Sequence, residues 1–149
     1  MSALPLPAAP ASSPVPPLAL PGGLSLPVGR TAIMGILNVT PDSFSDGGRF
    51  LDPGAALDHA QEMLDEGADL VDLGGESTRP NSTRISEDEE WERIGSIIHR
   101  LAASGVVVSV DTLHALTARR AADAGAAIIN DVSGGRWDPQ MNAAVASTS

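Results

Sequence analysis

The chain has 149 residues, a formal net charge of -10, no cysteine and no lysine. That length suffices for one domain with a core. The missing thiols exclude disulfides and thiolate nucleophiles and fit a reducing compartment; the negative charge argues against a protein that tracks nucleic-acid phosphates, and a lysine Schiff base has no residue to form on.

Residues 1–29 carry no charged side chain and hold eight of the twelve prolines. Proline at this density opposes helices and ladders, so the stretch is expected to be a disordered Pro/Ala-rich extension. It lacks the basic start and unbroken apolar run of a secretory signal. No segment approaches the roughly 18 apolar residues of a membrane span. The expectation is a soluble cytoplasmic protein with no membrane and no nucleic-acid partner.

Residues 30–149 read as one partial domain of about four βα units. Ala32–Leu37 is a short apolar run expected to be a strand buried on both faces, followed by a loop from Asn38 to Asp52. Pro53–Glu66 reads as a helix with Ala56, Leu57, Ala60, Met63 and Leu64 on one face and Gly67 as its C-terminal cap. Leu70–Leu73 is the second strand, and Gly74–Ile85 the second loop. Ser86 opens the next helix, with Glu89 placed for a capping box. Val106–Val110 is the third strand, Leu113–Ala124 a helix closed by Gly125, and Ala127–Asn130 the fourth strand. Asp138-Pro139 is expected to open a fourth helix.

Alternating strands and helices imply a parallel sheet, closed either as an open doubly wound sheet or as a (β/α)8 barrel. No G-x-G-x-x-G turn follows the first strand, which weighs against a dinucleotide-binding fold. Four units would make half a barrel. The acids Glu87, Asp88, Glu89, Glu90 and Glu92 read as a helix's first turns facing the positive end of its dipole. His59, His99 and His114 read as helix-surface or core residues rather than ligands.

In parallel α/β folds the reacting groups sit at the carboxyl ends of the strands. Here the four strands end in Asn38, Gly74-Gly75-Glu76, Asp111-Thr112 and Asn130-Asp131. A single such residue is explained as a helix cap; four in succession point to a site. Carboxamides and a carboxylate at a pocket floor suit a heterocycle with a donor/acceptor edge, and Asn38 beside a hydroxyl-rich loop suits a diphosphate or its Mg²⁺, which takes oxygen ligands.

Four segments carry a family resemblance. Met34–Gly48 resembles the first signature of the dihydropteroate synthases, Asp72–Pro80 the second, Ser109–Thr112 the third and Ile129–Gly135 the fourth, in order, across about Thr31 to Pro139. The resemblance implies the N-terminal half of a (β/α)8 TIM barrel, in a family whose full-length members are usually homodimers. It implies a transferase of folate biosynthesis, a target of sulfonamides, that condenses hydroxymethyl-dihydropterin diphosphate with p-aminobenzoate, using Mg²⁺. Position by position, Asn38 would meet the diphosphate and metal, and Asp111 and Asn130 the pterin. Asp46 and Arg79 would act as diphosphate departs. Phe44, Ser77, Thr78 and Pro80 would wall the p-aminobenzoate pocket. The chain departs from the family at Asn81-Ser82, where Gly-Ala is usual, and lacks the later strands with their pterin-binding lysine. Little or no activity is therefore expected of these 149 residues alone. Two alternatives remain: the pterin-binding domain of a methyl-folate/corrinoid methyltransferase, against which the Asn38–Gly48 loop speaks, and a truncated product that is not an enzyme.

Overall fold

The computed structural model describes residues 16–40, 52–77 and 82–148. The first described segment is not the unstructured extension expected of residues 1–29. Strands β1 (Leu18–Ala19) and β2 (Ser25–Leu26) pair antiparallel around a 3-10 turn over Pro21–Gly23. The physical reason is where the prolines fall. Pro16, Pro17 and Pro27 flank the paired residues, and Pro21 starts the turn, so none removes a ladder donor. Gly22 and Gly23, both at positive φ, close it.

The remainder alternates strand and helix. Strand β3 spans Met34–Asn38, α1 Pro53–Asp65, β4 Leu70–Gly74, α2 Glu87–Ala103, β5 Val108–Asp111, α3 Ala115–Asp123, β6 Ile128–Asn130 and α4 Met141–Ala146. Strands β3, β4, β5 and β6 lie side by side in chain order, all parallel. A doubly wound sheet reverses its strand order and carries helices on both faces; this sheet does neither. Helix α1 packs on β3 and β4, α2 on β4 and β5, and α3 on β6, with successive helices against one another. That is the wall of a barrel, four units around.

One-sided cover explains a correction to the first strand. It was expected to be buried on both faces, yet Leu37 is 1% exposed whereas Ile36 is 60% exposed and Met34 44%. Leu37 points beneath the helices. Met34 and Ile36 point to the concave side, where no described element covers them. Val71 and Leu73 of β4 and Val108 and Val110 of β5 join Leu37 under Ile94, Ile97, Ile98 and Leu101 of α2 in one cluster. Each such side chain contributes about 1.5–3 kcal/mol when fully buried. The core therefore lies between sheet and helices, and the inner face is left for polar groups.

Helix ends follow local chemistry with two adjustments. Asp52 accepts from the Gly54 N–H at 2.9 Å and Pro53 occupies the first helical position of α1. Ser86 Oγ accepts from the Glu89 N–H at 3.1 Å, but the Glu89 carboxylate pairs with Arg93 at 2.6 Å instead of completing a capping box. Asp138 does not cap the last helix directly: α4 starts at Met141. Its carboxylate accepts from the Gln140 N–H and, at 2.8 Å, from the Ala115 N–H at the start of α3. One aspartate thus caps a neighbouring helix as well as its own turn. Before β3, Arg30 makes a two-pronged pair with Asp69, which also accepts from the Ile33 N–H, so the chain entering the sheet is tied to the start of β4. No helix among the described residues is long and apolar enough to cross a membrane.

Candidate functional site

The parallel register aligns the strand ends into rows across the inner face. Asn38 is opposite Gly74, Gly74 opposite Asp111, and Asp111 opposite Asn130. The row beneath runs Ile36, Asp72, Ser109, Ile128. Side chains two apart on a strand share a face, so Asn38, Asp111 and Asn130 project on one side, at the carboxyl edge of the sheet. The ladder continues past the strands, with Val39 N–H on the Gly74 carbonyl at 2.7 Å and Thr112 N–H on the Asn130 carbonyl at 3.1 Å. These bonds fix the row's backbone.

Gly74 sets the spacing within the row. A Cβ built there would meet Asn38 Oδ1 at 3.2 Å and Asp111 Oδ2 at 3.9 Å. The missing side chain leaves the carboxamide of Asn38 and the carboxylate of Asp111 flanking an open notch.

Burial raises the Asp111 carboxyl from its ordinary value to about 6, and the charges of Asp72, Asp131 and Glu76 push in the same direction. Asp111 Oδ1 and Asp72 Oδ1 are both buried without a hydrogen-bond partner, as is Ser109 Oγ one row down. Buried polar atoms are normally satisfied. Of the three, Asp111 Oδ1 lies in the strand-end row, where it is left as an acceptor for a ligand's polar edge, while Asp72 and Ser109 lie a row beneath. Asn130 Nδ2 donates to Asp72 Oδ2 at 3.1 Å.

The other strand-end residues serve the loops. Glu76 is taken by Arg84 at 2.5 Å and by His114 Nε2 at 3.1 Å, and Arg84 stacks over Trp137, 4.7 Å from the ring centroid. Asp131 accepts from the Ser133 and Gly135 N–H groups and so shapes its own turn. Ser77 lies at the start of the second loop, where its carbonyl accepts from Ser82 Oγ at 2.5 Å. Ser82 belongs to the pair that departs from the usual Gly-Ala, and alanine has no hydroxyl for this bond. Asp46, Phe44, Thr78, Arg79 and Pro80 lie outside the described residues.

Glu90 lies in the first turn of α2, as expected, but is also buried: it is 1% exposed, and its carboxylate accepts from Thr112 Oγ1 at 2.9 Å. Burial raises its pKa, offset in part by the neighbouring Thr117 and Thr112 hydroxyls. The signal was in the spacing, since Glu90 precedes Ile94, Ile97, Ile98 and Leu101 by 4, 7, 8 and 11 residues and so falls on the apolar stripe. His114, half-buried, bridges Glu76 of the second loop at 3.1 Å and Glu87 of α2 at 3.9 Å. Sequence reasoning also passed over Asp72 as a site residue, although an acid inside the run Leu70-Val71-Asp72-Leu73 is itself a signal.

As for a metal, no cluster of three or more carboxylate or imidazole ligands exists among the described residues. The row offers the carboxamide oxygens of Asn38 and Asn130 beside the single carboxylate of Asp111. Such a donor set fits Mg²⁺ held chiefly by substrate phosphates and water, and does not fit an all-protein cage.

Residues 34–149 match the model of the family described as "Pterin binding enzyme". The chain is 54% identical over 113 residues to the dihydropteroate synthase of Bacillus subtilis, covering 75% of this chain and 40% of that protein. The crystal structure of Xanthomonas albilineans dihydropteroate synthase with 4-aminobenzoic acid superposes with a TM-score of 0.78 at 46% identity, over 85% of this chain and 47% of that one. The Burkholderia cenocepacia dihydropteroate synthase complexed with 7,8-dihydropteroate gives 0.74 at 40% identity, over 87% and 42%. The chain thus spans less than half the length of these relatives, and its sheet and helices are half of a (β/α)8 barrel. Matched over more than three quarters of its length, the chain belongs to the pterin-binding enzyme family.

Proposed function

We propose that these residues form the pterin-gripping portion of a dihydropteroate synthase, which joins a hydroxymethyl-dihydropterin diphosphate to p-aminobenzoate. The observation that carries the reading is the single register row holding Asn38, Asp111 and Asn130 on one face. The buried, unpartnered Asp111 Oδ1 awaits a donor, and a pterin presents ring N–H and amino donors along one edge. The solved relative named for its complex with 7,8-dihydropteroate supports the same ligand class here.

Asp111 and Asn130 would orient the pterin, and Asn38 would face the diphosphate. Mg²⁺, when bound with that diphosphate, supplies charge neutralisation for the leaving group. The bond between the pterin methylene and its oxygen breaks, with the electron pair leaving on diphosphate. The methylene becomes cationic, and the amine of p-aminobenzoate then forms the new C–N bond and loses a proton. Asp46 would stabilise the cation. Arg79 would accompany departure of the anion, and Phe44, Ser77, Thr78 and Pro80 would enclose the arylamine. No strong base is needed, because an arylamine is already neutral.

The complete enzyme would be a cytoplasmic homodimer open to sulfonamide competition. The 149 residues alone are expected to grip a pterin but to form little or no product. Fluorescence titration with 7,8-dihydropteroate tests the first statement. Saturable binding to the chain, lost in Asp111→Ala and Asn130→Ala but kept in His59→Ala, is the expected result. Equal binding by all four proteins would refute the assignment.

A further inference from the structure

Asp72 sits one row below the strand-end row, and at 4% exposure it is the most buried aspartate on the described inner face. The atoms nearest the open notch beside Gly74 belong to Asn38 and Asp111, not to Asp72. What it holds is Asn130: the carboxamide nitrogen reaches from β6 past β5 to Asp72 Oδ2 on β4, 3.1 Å away. The side chain crossed in that row is Ser109, between Asp72 and Ile128 in register. A serine is small enough to leave the diagonal open. We infer that Asp72 is a positioning residue that locks the Asn130 carboxamide in one of its two orientations, leaving the amide oxygen and one N–H for the ring edge of the ligand; this rests on the pterin reading above.

The chemistry is asymmetric. A carboxylate only accepts hydrogen bonds, whereas a carboxamide has a donating end and an accepting end. Turning the Asn130 amide over would set its oxygen against Asp72 Oδ2, two acceptors with no proton between them, in a buried place where such a mismatch is costly. The lock therefore decides which ligands the row admits. Opposite the Asn130 oxygen a ligand must offer a donor. A heterocycle with the same outline but an acceptor at that point meets an oxygen–oxygen repulsion. Simple satisfaction of buried groups does not explain the arrangement, since Asp72 Oδ1 and Ser109 Oγ stay unpartnered beside it.

The test uses the full 149-residue chain, with 7,8-dihydropteroate as probe and the Asn130 side-chain NH₂ pair followed by NMR. Asp72→Ala should weaken the probe about tenfold, the scale of one hydrogen bond to a charged group, and should move the Asn130 NH₂ resonances. Asp72→Asn keeps an oxygen acceptor at nearly the same place. It should restore affinity to within about threefold; Asp72→Leu, which keeps bulk but offers no acceptor, is read in the same way as the alanine variant if that one does not fold. Unchanged affinity and unchanged Asn130 resonances in the variant without an acceptor at position 72 would overturn the inference while leaving the pterin reading intact. If the parent chain binds no 7,8-dihydropteroate, the pterin reading falls, and the response of the Asn130 NH₂ pair to Asp72→Ala still decides whether Asp72 holds the amide.

Discussion

Asn38 and Asp111 are separated in their register row by a residue without a side chain, Gly74. The gap is a property of sequence alignment across the sheet. Asn38 ends β3, Asp111 ends β5, and the strand between them ends in the one amino acid that leaves room between their polar tips. A methyl group there lies 3.2 Å from Asn38 Oδ1, close enough to displace it, while the Asp111 contacts at 3.8 and 3.9 Å are ordinary.

Gly74→Ala is therefore expected to act on the ligand more than on the fold. The carboxamide of Asn38 is exposed and shifts by a few tenths of an ångström, so stability should change by less than about 1 kcal/mol. Affinity for 7,8-dihydropteroate should fall several-fold. Titration and thermal melting of the same preparation separate the two effects.

The raised Asp111 pKa makes stability depend on pH with a definite sign. Folding lifts this carboxyl from 3.8 to about 6, so the folded chain binds its proton more tightly than the unfolded chain. The stabilisation from protonation is complete below about pH 4 and is lost as pH rises through about 6. Asp111→Asn removes the penalty. A shift of this size would be worth about 3 kcal/mol in a fully buried group, but Asp111 is only partly buried, and solvent screening reduces the expected gain to about 1 kcal/mol. In urea melts Asp111→Asn should exceed the parent at pH 8, with the difference vanishing near pH 4.

Thr112 serves the buried Glu90 and the start of α3 together. Its hydroxyl donates to Glu90 Oε2 at 2.9 Å and accepts from the His114 N–H at 3.1 Å. Thr112→Val keeps the shape and removes both bonds, leaving a buried carboxyl oxygen without its donor. The expected cost is about 1–3 kcal/mol in chemical denaturation, with Thr112→Ser retaining most of the stability.

Asp138 lies at the far end of the fourth loop yet caps α3 through the Ala115 N–H. Its carboxyl is held below the ordinary range, first by that backbone bond and then by the one from Gln140. A depressed carboxyl stabilises the fold above its unfolded value, and the contribution is lost as pH falls through its folded value. Asp138→Ala should cost about 1–2 kcal/mol at neutral pH, as removal of a capping side chain does, and less in acid. Amide hydrogen exchange should show the loss in the first turn of α3.

Much of this was legible in the residues. The four strands, the first three helices and the parallel order follow from short apolar runs alternating with amphipathic stretches. That Asn38, Asp111 and Asn130 end their strands followed from a polar residue closing each apolar run. What local pattern cannot give is pairing across the sheet. Asp72 and Asn130 are 58 residues apart, and nothing in either segment states that one amide reaches the other carboxylate. The exposed Met34 and Ile36 were misjudged because their periodicity shows an apolar strand and does not show which face the chain itself covers. The β1–β2 hairpin was missed because proline counts, unlike proline positions, say nothing about which donors a ladder needs. Glu90 belongs both to the acidic first turn and to the buried stripe below it, and charge alone shows only the first.

The most direct test of the pterin-gripping row is a crystal structure of this chain soaked with 7,8-dihydropteroate. The expected result is the pterin ring on the concave face, its donor edge within about 3.2 Å of Asp111 and Asn130, and the rest of the molecule extending past Asn38. A ligand bound elsewhere, with those three side chains unmoved and untouched, would contradict it.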